Sequence, residues 1–230
     1  MAPLAEALRA ERCVRVFSRP GWDGGPPTAR KNYYHTQGQE LVKVLRTGTT
    51  PAELFGWSSG GLVALHAALA APELVKGLYL YEVPFLSSRD NDWRRLYGFL
   101  AMLAWGKLGR KERSRAAFWR MVSEREHGPT GFALLPVEAR SRLVRQSGPL
   151  LEEVLAGTGA ELREMLEQIK IPVCTLTGAA SGRSSHIAAD RLSEFICAST
   201  RHRISGADHL APLTMPHAIA ESIAHTSERH

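Results

Sequence analysis

The stretch "AELFGWSSGGLVALHAALA", residues 52–70, limits the fold more than any other part of the chain. A short apolar run ends in two serines bracketed by glycines and passes at once into an apolar helical pattern. Gly56-Trp57-Ser58-Ser59-Gly60 fits G-x-S-x-G, with a strand entering at Phe55 and a helix leaving through Leu62, Val63, Ala64 and Leu65. The residue at the centre of so sharp a strand-to-helix turn is strained and projects outward, and glycines two positions to either side leave the turn room to close. The pentapeptide alone recurs by chance in Gly-rich loops; the flanking strand and helix make it specific.

The rest of the chain repeats this alternation. Strands are expected at 12–18, 52–57, 75–83, 171–177 and 200–205, with helices at 37–46, 59–71, 185–197 and 213–225. Short apolar runs separated by helical patterns imply parallel strands with crossover helices. Residues 89–169 break the rhythm: Leu, Met, Phe and Trp recur there at helical spacing and no strand is evident. The expected organisation is a core in two parts, 1–88 and 170–230, around a helical cap at 89–169. Within the cap, Trp93, Phe99, Met102, Trp105, Phe118 and Trp119 form either the cap's own core or the wall of an apolar pocket.

Serine attacks carbonyl carbon only when a base takes its proton. "RHRISGADHLAPLTMP" places His209 just after the last expected strand and before the last helix, where a loop can present it beside Ser58. Position alone selects it among nine histidines. Ser59 opens the helix, so its backbone N–H is a candidate oxyanion donor. Trp57 is a candidate substrate contact.

Bulk properties narrow the rest. The 230 residues suit one domain, and no apolar run reaches the 18 or so residues of a membrane span. "MAPLAEALRAER" patterns as a short amphipathic helix and lacks the layout of a secretory signal, so a cytoplasmic location is expected. Cys13, Cys174 and Cys197 are odd in number and far apart, which reads as buried thiols without disulfides or zinc. The formal charge of +6 is spread along the chain except for Lys107, Arg110, Lys111, Arg113, Arg115 and Arg120, read as a solvated helix face and not a nucleic-acid site.

The chain resembles the α/β-hydrolase superfamily, in particular its small bacterial esterases, proline iminopeptidases and aclacinomycin-methylesterase-like proteins. The resemblance is carried by "FSRPGWDGG", the elbow and its helix, "IPVCTLTG" and "GADHLAPLTMPHAIAESI". It implies a mostly parallel sheet of about five strands flanked by helices, with a helical cap. It also implies a serine hydrolase with Ser58 as nucleophile and His209 as base, acting on a small-molecule carbonyl substrate. Neither metal nor organic cofactor is expected, and neither nucleic acid nor membrane as partner.

Two departures stand out. The family's acid usually follows the next-to-last strand in a pattern like G-x-D-S, where this chain has Gly178-Ala179-Ala180-Ser181. Glu82, at the end of the strand after the elbow helix, is the first replacement candidate, ahead of Asp190 and Asp208. The family's earliest strands and the H-G turn that completes its oxyanion hole find no counterpart before residue 12. The 12–18 strand is therefore expected to pair with the elbow strand, and the newly exposed edge to invite self-association. The alternative to an active hydrolase is a catalytically weak or silent fold kept for binding.

Overall fold

A computed structural model describes residues 2–22, 28, 31–85, 93–157 and 162–227. Helices α1 (Ala2–Leu8) and α2 (Tyr33–Leu45) precede β1 (Ala52–Trp57), which turns directly into α3 (Ser59–Ala70) and then β2 (Val75–Tyr81). Five helices follow: α4 (Trp93–Lys107), α5 (Lys111–Val122), α6 (Gly131–Leu134), α7 (Val137–Gln146) and α8 (Leu150–Leu155). The core resumes with β3 (Val173–Gly178), α9 (Arg183–Phe195), β4 (Ser199–Ile204), α10 (Ala211–Thr214) and α11 (Pro216–Ser227).

The sheet among the described residues has four parallel strands, not five, in the order β1-β2-β3-β4. Strand period sorts its side chains. Leu54, Leu78, Leu80 and Val173 face a core shared with α2, α3 and α9. Tyr79, Tyr81, Cys174, Leu176 and Ile204 face the opposite core, closed by Leu4 of α1 and by Ile219 and Ile223 of α11. Register aligns Trp57 with Tyr81, Tyr81 with Leu176, and Leu176 with His202, so the carboxyl ends of the strands finish together. The crevice outside those ends is where open α/β sheets bind ligands.

Residues 12–18 form no strand, and among the described residues β1 pairs only with β2. The expectation that 12–18 lies in the ladder beside the elbow strand is overturned. The segment is anchored by side chains instead: Arg12 pairs with Glu53, and Arg15 Nη1 donates to Thr47 Oγ1 at 2.9 Å. Val16 is 51% exposed and Phe17 only partly buried, so neither face of this segment is covered as a parallel strand requires. The thiols also depart from expectation, since Cys174 is buried but Cys13 and Cys197 are exposed.

The helices between β2 and β3 pack partly on themselves and partly on the sheet. Met102 is buried between α4 and α5, where Ser114 Oγ donates to its carbonyl at 2.8 Å. Trp119 joins Phe132, Val144 and Leu210 in a cluster that reaches Trp57 at the elbow. Cap residues 124–126 are stitched to the loop after β3: Gly182 N–H donates to Glu124 O at 2.8 Å, and Glu126 N–H to Ala180 O at 3.1 Å. Three members of the basic cluster are engaged within the cap, not simply solvated. Arg113 lies over Trp105, Arg120 over Phe132, and Arg115 donates to the carbonyls of Val144 and Gly148. The side chain of Trp93 lies outside the described residues.

Candidate active site

The elbow is built by close backbone packing. Ser58 has φ 53° and ψ −133°, a region that L-residues rarely occupy and that costs about 1–3 kcal/mol. Two hydrogen bonds hold it there: Ser58 N–H donates to Tyr81 O at 2.9 Å, and Gly61 N–H donates to Ser58 O at 2.9 Å. A Cβ on Gly56 would lie 2.4 Å from Gly61 Cα, and one on Gly61 would lie 2.1 Å from Val83 Cγ2. At Gly60 a Cβ meets nothing within 4 Å. The required pair is therefore Gly56 and Gly61, a correction to the expected Gly56 and Gly60. Ser58 itself is partly exposed.

The bond from Ser58 to Tyr81 places the elbow beside the end of β2, where Glu82 follows with φ 47°. Glu82 is 4% exposed, and its Oε2 lies 2.9 Å from His209 Nδ1. Its Oε1 accepts from Ser181 Oγ, and from Gly178 N–H at 2.9 Å. Burial by itself would raise the Glu82 pKa. The hydrogen bond and charge of His209, with the donors Ser181 and Gly178, outweigh burial and hold the carboxyl below its ordinary value. With Glu82 ionised, Nδ1 is the protonated nitrogen of His209 and Nε2 presents its lone pair. That Nε2 is buried and has no hydrogen-bond partner.

His209 is fixed from its backbone as well. Trp57 Nε1–H donates to His209 O at 2.8 Å, with the two rings 5.8 Å apart, and Tyr81 O–H donates to Asp208 O at 2.6 Å. Trp57, expected as a substrate contact, holds the backbone of His209. Of the lesser acid candidates, Asp208 is turned away from the imidazole: its Oδ2 pairs with Arg125 Nη1 at 2.7 Å and its Oδ1 accepts from Leu210 N–H at 2.9 Å. Asp190 lies within α9 and pairs with Arg201.

Ser59 is the first residue of α3, where backbone N–H groups have no partner in the helix and the dipole favours negative charge. Its hydroxyl donates to Glu153 Oε1 of α8, a contact between residues far apart in the chain that no local pattern announces. Ser181 and Gly178, the partners of Glu82, carry one sequence signal: Ser181 keeps the last residue of the G-x-D-S pattern. Among the described residues no group of three or more His, Cys, Asp or Glu is placed to hold a metal ion, and no helix is long and apolar enough to cross a membrane.

Known proteins share this fold. The chain is similar to the pimeloyl-[acyl-carrier protein] methyl ester esterase of Aliivibrio salmonicida, 23% identical over 211 residues that cover 90% of this chain and 78% of that protein. The Xylella fastidiosa protein of the same name is 36% identical over 97 residues, covering 40% of this chain and only 34% of its own length. Among solved structures, a bromoperoxidase from Bacillus anthracis matches with a TM-score of 0.77 at 17% identity, covering 97% of this chain and 84% of that one. A thermophilic esterase from Thermogutta terrifontis matches with a TM-score of 0.70 at 18% identity, covering 98% and 85%. The sequence profile of the alpha/beta hydrolase family matches residues 1–222, and with the four-stranded parallel sheet and the elbow at Ser58 this shows that the chain belongs to that family.

Proposed function

We propose that the chain is a serine hydrolase that cleaves a small ester through an acyl-enzyme on Ser58. The contact between Glu82 Oε2 and His209 Nδ1, made inside the protein while Nε2 is left without a partner, carries this reading. His209 Nε2 takes the Ser58 proton as Oγ attacks the substrate carbonyl. The imidazolium that forms is supported by the Glu82 carboxylate, itself held by Ser181 and Gly178. The oxyanion develops beside the N–H of Ser59 at the start of α3. His209 then returns the proton to the leaving alcohol, the acyl-enzyme forms, and water activated by the same imidazole releases the acid. The silent-fold alternative rests on Ala180 and on the missing H-G turn; against the first, Glu82 offers His209 the carboxylate that Ala180 lacks.

The esterase relatives favour an ester substrate. The cluster of Trp57, Trp119, Phe132 and Leu210 on the His209 side supports an apolar leaving group. Turnover of short-chain 4-nitrophenyl esters is the direct test. The expected result is a burst of nitrophenol followed by slower steady release, abolished in Ser58→Ala and in His209→Ala. Equal hydrolysis by wild type and Ser58→Ala would exclude the acyl-enzyme.

A further inference from the structure

This inference rests on the serine-hydrolase reading and concerns what holds the base against the acid. The two are brought together by loops that are separate in the chain. Ser181, in the loop after β3, donates to Glu82 Oε1, and the loop after β4 carries His209. A short cap segment, residues 123–126, reaches both.

Arg125 stands at the junction. It forms an isolated antiparallel bridge with Ser181. Bonds on either side close that bridge: Glu126 N–H donates to Ala180 O at 3.1 Å, and Gly182 N–H to Glu124 O at 2.8 Å. The backbone of Arg125 is thereby fixed on the loop that supports the acid. Its side chain crosses to the other loop, where Nη1 pairs with Oδ2 of Asp208, the residue before His209, at 2.7 Å. The Asp208 side chain is 8% exposed and that of Arg125 25%, so the pair is screened less than an ion pair in open water.

Asp208 passes that hold to the base. Its Oδ1 accepts from Leu210 N–H at 2.9 Å, so the carboxylate brackets His209. The cap backbone fits closely against it: a Cβ on Gly131 would lie 2.7 Å from Asp208 Oδ2. The two loops also meet directly, Ala180 N–H donating to Ala207 O at 2.9 Å. That bond ends before the turn, whereas Arg125 reaches the carboxylate that closes it. A hydrogen bond such as that between His209 Nδ1 and Glu82 Oε2, at 2.9 Å, tolerates little displacement. We propose that Arg125 is a positioning residue: from the cap, it fixes the turn that carries His209 relative to the loop that carries Ser181, and so sets the contact between Glu82 and His209.

The test measures kcat per active site on a 4-nitrophenyl ester, the sites being counted from the burst amplitude. Arg125→Met should lower it by about tenfold or more with KM little changed, and Arg125→Lys, which keeps a cation, should recover most of the loss. A merely structural role would lower the burst amplitude and leave kcat per site intact. Arg125→Met strands the charge of Asp208, which costs stability. The double variant Arg125→Met/Asp208→Asn strands none and should show the same loss. Unchanged kcat per site in both variants overturns the proposal, as does a change in KM alone, which would make Arg125 a substrate contact. Proton NMR reads the same contact without turnover. The proton between His209 Nδ1 and Glu82 should resonate downfield of the amides, vanish in His209→Ala, weaken by exchange with water in Arg125→Met and persist in Arg125→Lys. A chain that hydrolyses no ester yet shows this pattern keeps the positioning role and defeats the hydrolase reading. A resonance equally strong in Arg125→Met, or absent from the wild-type chain, defeats the positioning role.

Discussion

Glu82 is buried, and three donors that converge on its two oxygens stabilise its charge. Removing that charge leaves His209 with an unfixed tautomer and an unsupported imidazolium. Glu82→Gln is expected to lower kcat by roughly 10³–10⁴ with little change in far-UV circular dichroism. Ser181→Ala removes one donor, so Glu82 should protonate at higher pH and kcat should fall about tenfold. Turnover measured down the acidic side of the pH profile checks both. The folded pKa of Glu82 lies below its unfolded one, so its contribution to stability is present above the ordinary carboxylate value and is lost as pH falls through the folded one. His66 acts in a different window. Burial, and then the neighbouring His35, depress its pKa from 6.5 to about 4. Its contribution, on the order of 2–3 kcal/mol, is present above pH 6.5 and is lost as pH falls toward about 4. Urea unfolding across that range should show stability rising with pH, with a flatter slope in His66→Gln.

The elbow at 52–70 was legible because its constraints are local. An apolar run, a pair of close glycines and an apolar helix follow one another directly, and β2, β3 and β4 were found by the same reasoning within a few residues. Residues 12–18 have as good a strand pattern, yet strand formation there depends on a partner and on covering layers, which a local pattern does not contain. The same limit applied to the site. His209 was legible from its place after the last strand, whereas the supports of Glu82 come from the end of β3 and the loop after it, some hundred residues away. The glycines separate what the turn requires from what the motif merely spells. Gly56→Ala and Gly61→Ala should each destabilise the fold by about 2 kcal/mol or more, because backbone or Val83 stands where the methyl must go. Gly60→Ala, with open space around it inside α3, should be neutral or slightly stabilising. Chemical denaturation of the three variants distinguishes these outcomes.

At the scale of the whole molecule, strand register joins distant parts of the chain in one site, and the cap is tied to it. Arg125 pairs with Asp208 beside His209, Glu126 bonds Ala180, and Glu153 reaches the elbow. The other consequence of the topology lies at the rim of the sheet. With β1 paired on one side only among the described residues, its outer backbone is a template for another strand. Sedimentation at increasing concentration should show reversible self-association, and a monomer at all concentrations would contradict it. Whether His209 and Glu82 activate Ser58 can be read by labelling the purified chain with a fluorophosphonate probe and mapping the modified peptide by mass spectrometry. A single adduct is expected on Ser58, lost in Ser58→Ala and His209→Ala and strongly slowed in Glu82→Gln. A folded chain that takes no label, or takes it elsewhere, would show that Ser58 is not activated.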